Sequence, residues 1–91
     1  MAKKIGADRK RDSSTIAEAV GAELTERRTK AGWSQQALAD RLGYDVSYIG
    51  QIERAEKSPT LTMLISICTA FEIALSEFIR VAEKRQARRR S

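Results

Sequence analysis

Histidine is absent from this 91-residue chain, and cysteine occurs once, at Cys68. A His-based catalytic triad, a His-ligated metal site and an intrachain disulfide are therefore excluded. The lone thiol fits a reducing cytoplasm. Glycine and proline are scarce, at five and one, and β-branched residues never alternate over a strand-length run. No apolar stretch approaches the roughly 20 residues that span a bilayer. The basic opening MAKKIGADRKR lacks the apolar run of a secretory signal. The expectation is a soluble all-α protein of one small domain, without metal, cofactor or membrane partner.

A formal net charge of +5 suggests a nucleic-acid partner, but its distribution matters more than its sum. Residues 1–14 carry five basic and two acidic side chains, and residues 84–91 carry five basic and none acidic. The middle of the chain is left with seven basic against ten acidic residues. Basicity belongs to the two ends, so bulk charge alone does not make the central domain a DNA binder. Residues 1–13 lack periodicity and are expected to form a disordered basic arm. Residues 14–83 are expected to form the folded domain, and residues 84–91 a basic tail.

Five helices follow from the pattern. Helix 1 is expected to start at Ser14 or Thr15, where Thr15 and Glu18 have capping-box spacing, with Ile16, Val20, Leu24 and Arg28 along one face. Gly32 ends it. Ser34 is a good N-cap for helix 2, and Trp33 before it can staple onto Leu38; Leu38, Ala39 and Leu42 form its inner face and Gly43 stops it. The arrangement then repeats: Tyr44 precedes the N-cap Asp45, and Ile49 stands four residues into helix 3. Two such starts, eleven residues apart with a glycine between, give helix-turn-helix spacing. Helix 3 is expected to reach about Ala55, before a loop at Glu56–Pro59. Thr60 caps helix 4, with Leu61, Leu64, Ile67, Cys68 and Phe71 on its apolar face. Ser76 caps helix 5, which uses Phe78, Ile79 and Ala82 before dissolving into KRQARRRS.

On a wheel at about 100° per residue, Val46, Ser47, Gly50, Gln51 and Arg54 share the outward arc of helix 3, while Ile49 and Ile52 face inward. A small, polar outer face with one arginine suits a major groove about 12 Å wide. Gln51 can pair bidentately with an adenine edge, Ser47 can donate to or accept from several bases, and Val46 can touch a thymine methyl. Gly50 costs about 1 kcal/mol of helix stability relative to alanine, which closer backbone approach to DNA would offset. Arg54, with Lys57 beyond it, is placed to reach phosphates.

The run Gly21-x-x-Leu24-x-x-x-Arg28-x-x-x-Gly32-x-Ser34-Gln35-x-x-Leu38-Ala39-x-x-x-Gly43, then Ser47-Tyr48-Ile49-x-Gln51-Ile52-Glu53-Arg54 and Pro59-Thr60-Leu61-x-x-Leu64, resembles the XRE-type helix-turn-helix regulators, similar to phage lambda-like repressors. The likeness covers about residues 15–79 and implies a five-helix DNA-binding domain. It implies base reading by Val46, Ser47 and Gln51. Contacts to the DNA backbone are implied for Ser34, Gln35, Tyr48, Gly50, Arg54 and Lys57, and a structural ion pair for Arg28 and Glu53. Three positions depart from the family pattern. Ala55 stands where a left-handed glycine is usual, Asp45 where serine or threonine is, and Val46 where a polar base reader is.

The function expected is that of a sequence-specific regulator of double-stranded DNA, acting as a dimeric repressor or a restriction-modification-type controller. It would work in the cytoplasm, on the nucleoid, with no enzyme activity. Phe78, Ile79 and Ala82 are the expected homodimer contact, because paired recognition helices about 34 Å apart read two half-sites. The alternative is an antitoxin-like module that neutralises an unknown protein partner and autoregulates its operon.

Overall fold

The structure, a computed structural model, describes the backbone of residues 2–90 and the side chains of residues 16–88. Five helices make up the ordered elements: α1 (Ala2–Lys30), α2 (Gln35–Leu42), α3 (Val46–Glu53), α4 (Leu61–Ala70) and α5 (Leu75–Arg90). No strand occurs among the described residues.

Four of the helices end in the same way. One residue adopts a left-handed conformation, and the amide after it donates back to the carbonyl five residues earlier, satisfying carbonyls that the last turn leaves free. Gly32 (φ 76°) and Gly43 (φ 75°) fill the left-handed position after α1 and α2 at little cost. Ala55 (φ 62°) and Glu72 (φ 54°) fill it after α3 and α4, where a Cβ makes the conformation strained. The closing bonds run from Trp33 N to Arg28 O, Tyr44 N to Ala39 O, Glu56 N to Gln51 O and Ile73 N to Cys68 O, at 2.8–3.0 Å. Ala55 thus keeps the shape of the turn at the expense of backbone strain.

Both outer helix boundaries differ from expectation. α1 runs through Ser14 and Thr15, so the segment read as an arm has a helical backbone. A Ser or Thr favours an N-cap but does not impose one, and no proline stands upstream to break the ladder. The side chain of Thr15, and with it the capping box, lies outside the described residues. α5 starts at Leu75 rather than after Ser76, with the Ala74 carbonyl accepting from the amides of Glu77 and Phe78. It does not dissolve after residue 83 but continues to Arg90.

The core is filled by Leu24, Leu38, Ile49, Ile52, Met63, Ile67 and Phe78, each fully buried. Burying such a side chain contributes about 1.5–3 kcal/mol. Small residues set the spacing of the elements around it. A Cβ at Gly21 would lie 2.6 Å from the carbonyl oxygens of Ile52 and Glu53, so only glycine lets α1 lie this close to α3. Met63 joins the core, whereas Leu61 (64% exposed) and Ile16 (37% exposed), expected on inner faces, lie toward solvent.

The same packing takes two of the three expected dimer residues, Phe78 and Ala82, into the chain's own core. Phe78 and Ala82 are 0% and 2% exposed within a single chain, and Ile79 is half-buried against the same cluster. They hold α5 to its own core, because the apolar face of α5 is needed to cover α1 and α4.

A polar clamp fastens the rest of α5. Glu23 on α1, buried at 4% exposure, accepts from Arg27 Nε at 2.5 Å and from Arg85 Nε at 2.9 Å. Glu26 accepts from the Arg85 guanidinium and pairs with Lys30 Nζ at 2.8 Å. The Lys30 hydrogen bond, followed by that of Arg85, holds the Glu26 carboxyl down to about 2. No buried side-chain nitrogen or oxygen among the described residues lacks a partner.

Candidate nucleic-acid interface

The two helix starts that frame the turn are both capped by side chains. Ser34 Oγ accepts from Ala37 N at 3.0 Å, and the Asp45 carboxylate accepts from Ser47 N at 3.4 Å. Trp33 stacks on Phe71 at 4.9 Å, and the Arg41 guanidinium lies over the indole, 4.2 Å from the ring centre, so Trp33 ties the start of α2 to the end of α4. Tyr44 tilts against Tyr48 at 5.4 Å. These contacts fix where each of the two helices begins, and the Gly43 turn between them is closed by Tyr44 N donating to Ala39 O at 3.0 Å.

One ionic network anchors α3 from behind. The Arg28 guanidinium bonds Glu53 twice, Nε to Oε2 at 2.6 Å and Nη2 to Oε1 at 3.1 Å, and its Nη1 donates to the Trp33 carbonyl at 2.8 Å. Gln35 Nε2 donates to Glu53 Oε1 at 2.8 Å. The side chains of Arg28 and Glu53 are only 12% and 6% exposed. Helices α1, α2 and α3 therefore share one carboxylate. Gln35, which the family resemblance gives to a phosphate, has its amide nitrogen turned inward to that carboxylate.

The outward residues of α3 fall into three environments. Ser47 is exposed, and Gln51 is half-exposed one turn along. Val46 is half-buried and packs against the core cluster, so it is less open than its place on the wheel suggested. Tyr48 is also half-buried against that cluster, with Lys57 Nζ 6.0 Å from the centre of its ring. Gly50 is buried, although it belongs to the outer arc. Its cover is the Arg54 side chain: a Cβ at Gly50 would stand 2.8 Å from Arg54 Nη1. Arg54 in turn donates to Glu56, Nε to Oε2 at 2.8 Å and Nη2 to Oε1 at 3.4 Å. That pair raises the Arg54 pKa and lowers that of Glu56.

Sequence reading missed Glu56, and the reason is geometric. Arg54 and Glu56 are two positions apart, which in a helix would point them away from each other. The left-handed turn at Ala55 brings them together. The inward bond of Gln35 was equally hidden, since it depends on the angle between α2 and α3.

Chemically, the surface offers the Ser47 hydroxyl and the Gln51 amide along α3, one flanking arginine and one flanking lysine, on a helix held from behind by the Arg28–Glu53 pair. No group of three potential metal ligands comes together among the described residues, and no single helix there is long and apolar enough to cross a membrane.

Comparison with known proteins agrees with this geometry. Residues 24–78 match the family described as Helix-turn-helix. The HTH-type transcriptional regulator SutR of Escherichia coli is 38% identical over 70% of this chain, which spans 36% of the length of SutR. Among solved structures, the clp gene regulator ClgR from Corynebacterium glutamicum superposes with a TM-score of 0.77 at 26% identity, covering 81% of this chain and 79% of that one. The restriction-modification controller protein C.AhdI from Aeromonas hydrophila superposes with a TM-score of 0.65 at 35% identity, covering 68% of this chain and 94% of that one. The turn between two capped helices, the buried carboxylate behind α3 and these likenesses converge: the chain belongs to the XRE-type helix-turn-helix family of DNA-binding transcriptional regulators.

Proposed function

We propose that the protein regulates transcription by seating α3 in the major groove of an operator, with Ser47 and Gln51 reading base edges and Val46 grazing a thymine methyl at the start of the helix. The observation that carries this reading is the contrast between the two sides of α3. Ile49, Ile52 and the Glu53 carboxylate fix one side, while Ser47 and Gln51 remain open on the other. A helix held so firmly can present hydrogen-bonding groups at fixed distances, which base readout requires.

Backbone contacts in this reading come from the capped start of α2 at Ser34, from Tyr48, and from Arg54 and Lys57 beyond the end of α3. A helix N-terminus attracts a phosphate through its free amides, so the Gln35 backbone still serves although its side chain is engaged with Glu53. The basic ends add sequence-independent attraction. Arg85 is held by Glu23 and Glu26, and Arg80 pairs with Glu77, so the exposed cations of the described C-terminal stretch that serve this role are Lys84 and Arg88. The protein acts in the cytoplasm as a homodimer that represses by occupying a promoter, or as a controller of the kind named for C.AhdI. Two-fold pairing is favoured because two recognition helices read two half-sites one DNA turn apart. The dimer contact must use surface other than Phe78 and Ala82.

The test is Gln51→Ala on a duplex enriched by binding selection. Discrimination should fall by about 1–3 kcal/mol at one base pair of each half-site, with thermal stability unchanged. Equal discrimination by wild type and variant at every base pair would remove Gln51 from the reading face.

A further inference from the structure

Arg54 is the one arginine on the outer arc of α3, and in the free protein it is already engaged. Its guanidinium presents Nε and Nη2 to the two oxygens of Glu56 and lies across Gly50. This forked arrangement is the one a guanidinium makes with a phosphate, since both anions offer two oxygens at matching spacing. We propose that Glu56 is an internal stand-in for a DNA phosphate: it parks Arg54 over Gly50, and the protein must break this pair before Arg54 can engage the DNA backbone. The inference rests on the DNA-binding reading above and adds to it a residue that restrains binding.

Three features make the parking place. The left-handed turn at Ala55 swings Glu56 back beside α3. Gly50 lacks the Cβ that would occupy the space where the guanidinium lies. The amide of Glu56 donates to the Gln51 carbonyl at 2.8 Å, so the backbone carrying its carboxylate is fixed rather than loose. Because the side chains of Arg54 and Glu56 are 59% and 53% exposed, water competes for both, and the restraint is a modest one. It applies equally to every DNA sequence, and its effect is to lower affinity without changing which site is preferred.

The test is a cycle of four full-length proteins, wild type, Glu56→Gln, Arg54→Ala and the double variant, titrated with a selected duplex and with an unrelated duplex at several salt concentrations. Both positions are exposed, and melting curves check that each variant folds. Glu56→Gln should tighten binding to both duplexes by roughly two- to fivefold, the size expected when an exposed ion pair no longer competes. Arg54→Ala should weaken binding and make the salt dependence shallower by about 0.9 in log–log slope, as for one lost phosphate contact. In the Arg54→Ala background, the gain from Glu56→Gln should vanish. A gain that persists there would mean that Glu56 only repels DNA, and would overturn the proposal, as would Glu56→Gln binding like wild type. Failure of the wild type to bind any duplex would instead overturn the DNA-binding reading itself.

Discussion

Glu53 closes α3 and Glu56 stands three residues on, just past the left-handed turn at Ala55, and each accepts two hydrogen bonds from an arginine. Their surroundings give those pairs different consequences. Glu53 and Arg28 are nearly buried, and the same carboxylate also takes the Gln35 amide, so three helices depend on it. Glu56 and Arg54 lie in solvent on the face turned away from the core. A buried pair costs a great deal to half-remove, because one charge is left without water or partner. An exposed pair can be exchanged for another anion almost freely. The chain thus uses one chemical unit twice, once to build the scaffold and once to hold an arginine in reserve.

The comparison breaks most visibly at the buried end. Arg28→Ala or Glu53→Ala should destabilise the fold by about 3–5 kcal/mol in urea denaturation, whereas Glu56→Gln should leave the unfolding midpoint where it is. Replacing Arg28 and Glu53 together by apolar residues of similar volume should recover much of the loss, since the penalty comes from the orphaned charge. If Glu56→Gln destabilised the protein as much as Glu53→Ala, burial would not be what separates the two sites.

A smaller effect sharpens the role of the turn between them. Ala55→Gly relieves a left-handed alanine and should raise stability by about 0.5–1 kcal/mol, or a few degrees in melting temperature, even after the entropy that glycine adds to the unfolded chain. Gly43→Ala, at the equivalent place after α2, should lower stability by a similar amount. Equal effects of the same sign at the two positions would contradict the strain assigned to Ala55.

The smallest effect concerns the clamp between α1 and α5. Lys30 and Arg85 hold Glu26 down to about 2, below its ordinary 4.5. Because the folded value is the lower one, this contribution is fully present above about pH 4.5 and is lost as the pH falls towards 2. Glu26→Gln should therefore lower the melting temperature slightly near neutrality and converge on wild type as the pH approaches 2, which flattens the acid limb of a plot of melting temperature against pH. An acid limb of the same slope would place the acid sensitivity on other carboxylates.

Local signals carried most of the fold. Ser34, Gly43, Asp45 and Thr60 announce helix boundaries because caps and left-handed stops are properties of a few adjacent residues. The outer boundaries were less legible, since nothing in RKRDSST or KRQARRR forbids a helix, and on α5 the grip of Glu23 and Glu26 on Arg85 holds the helix past residue 83. The site was readable along α3, where helical periodicity separates Ser47 and Gln51 from Ile49 and Ile52. What depends on angles between elements was hidden: the inward bond of Gln35 and the grip of Glu23 and Glu26 on Arg85. Phe78 and Ala82 misled for the same reason. An apolar stripe on α5 looks alike whether it faces a partner or its own core.

The central claim is that the open side of α3 selects a DNA sequence, and binding selection of the full-length protein from a random duplex pool tests it most directly. Enrichment of one motif is expected, made of two related half-sites whose centres lie about one helical turn, or 10 base pairs, apart. Retention of DNA with no motif enriched at any round would contradict it, and would leave the basic ends of the chain as the source of binding.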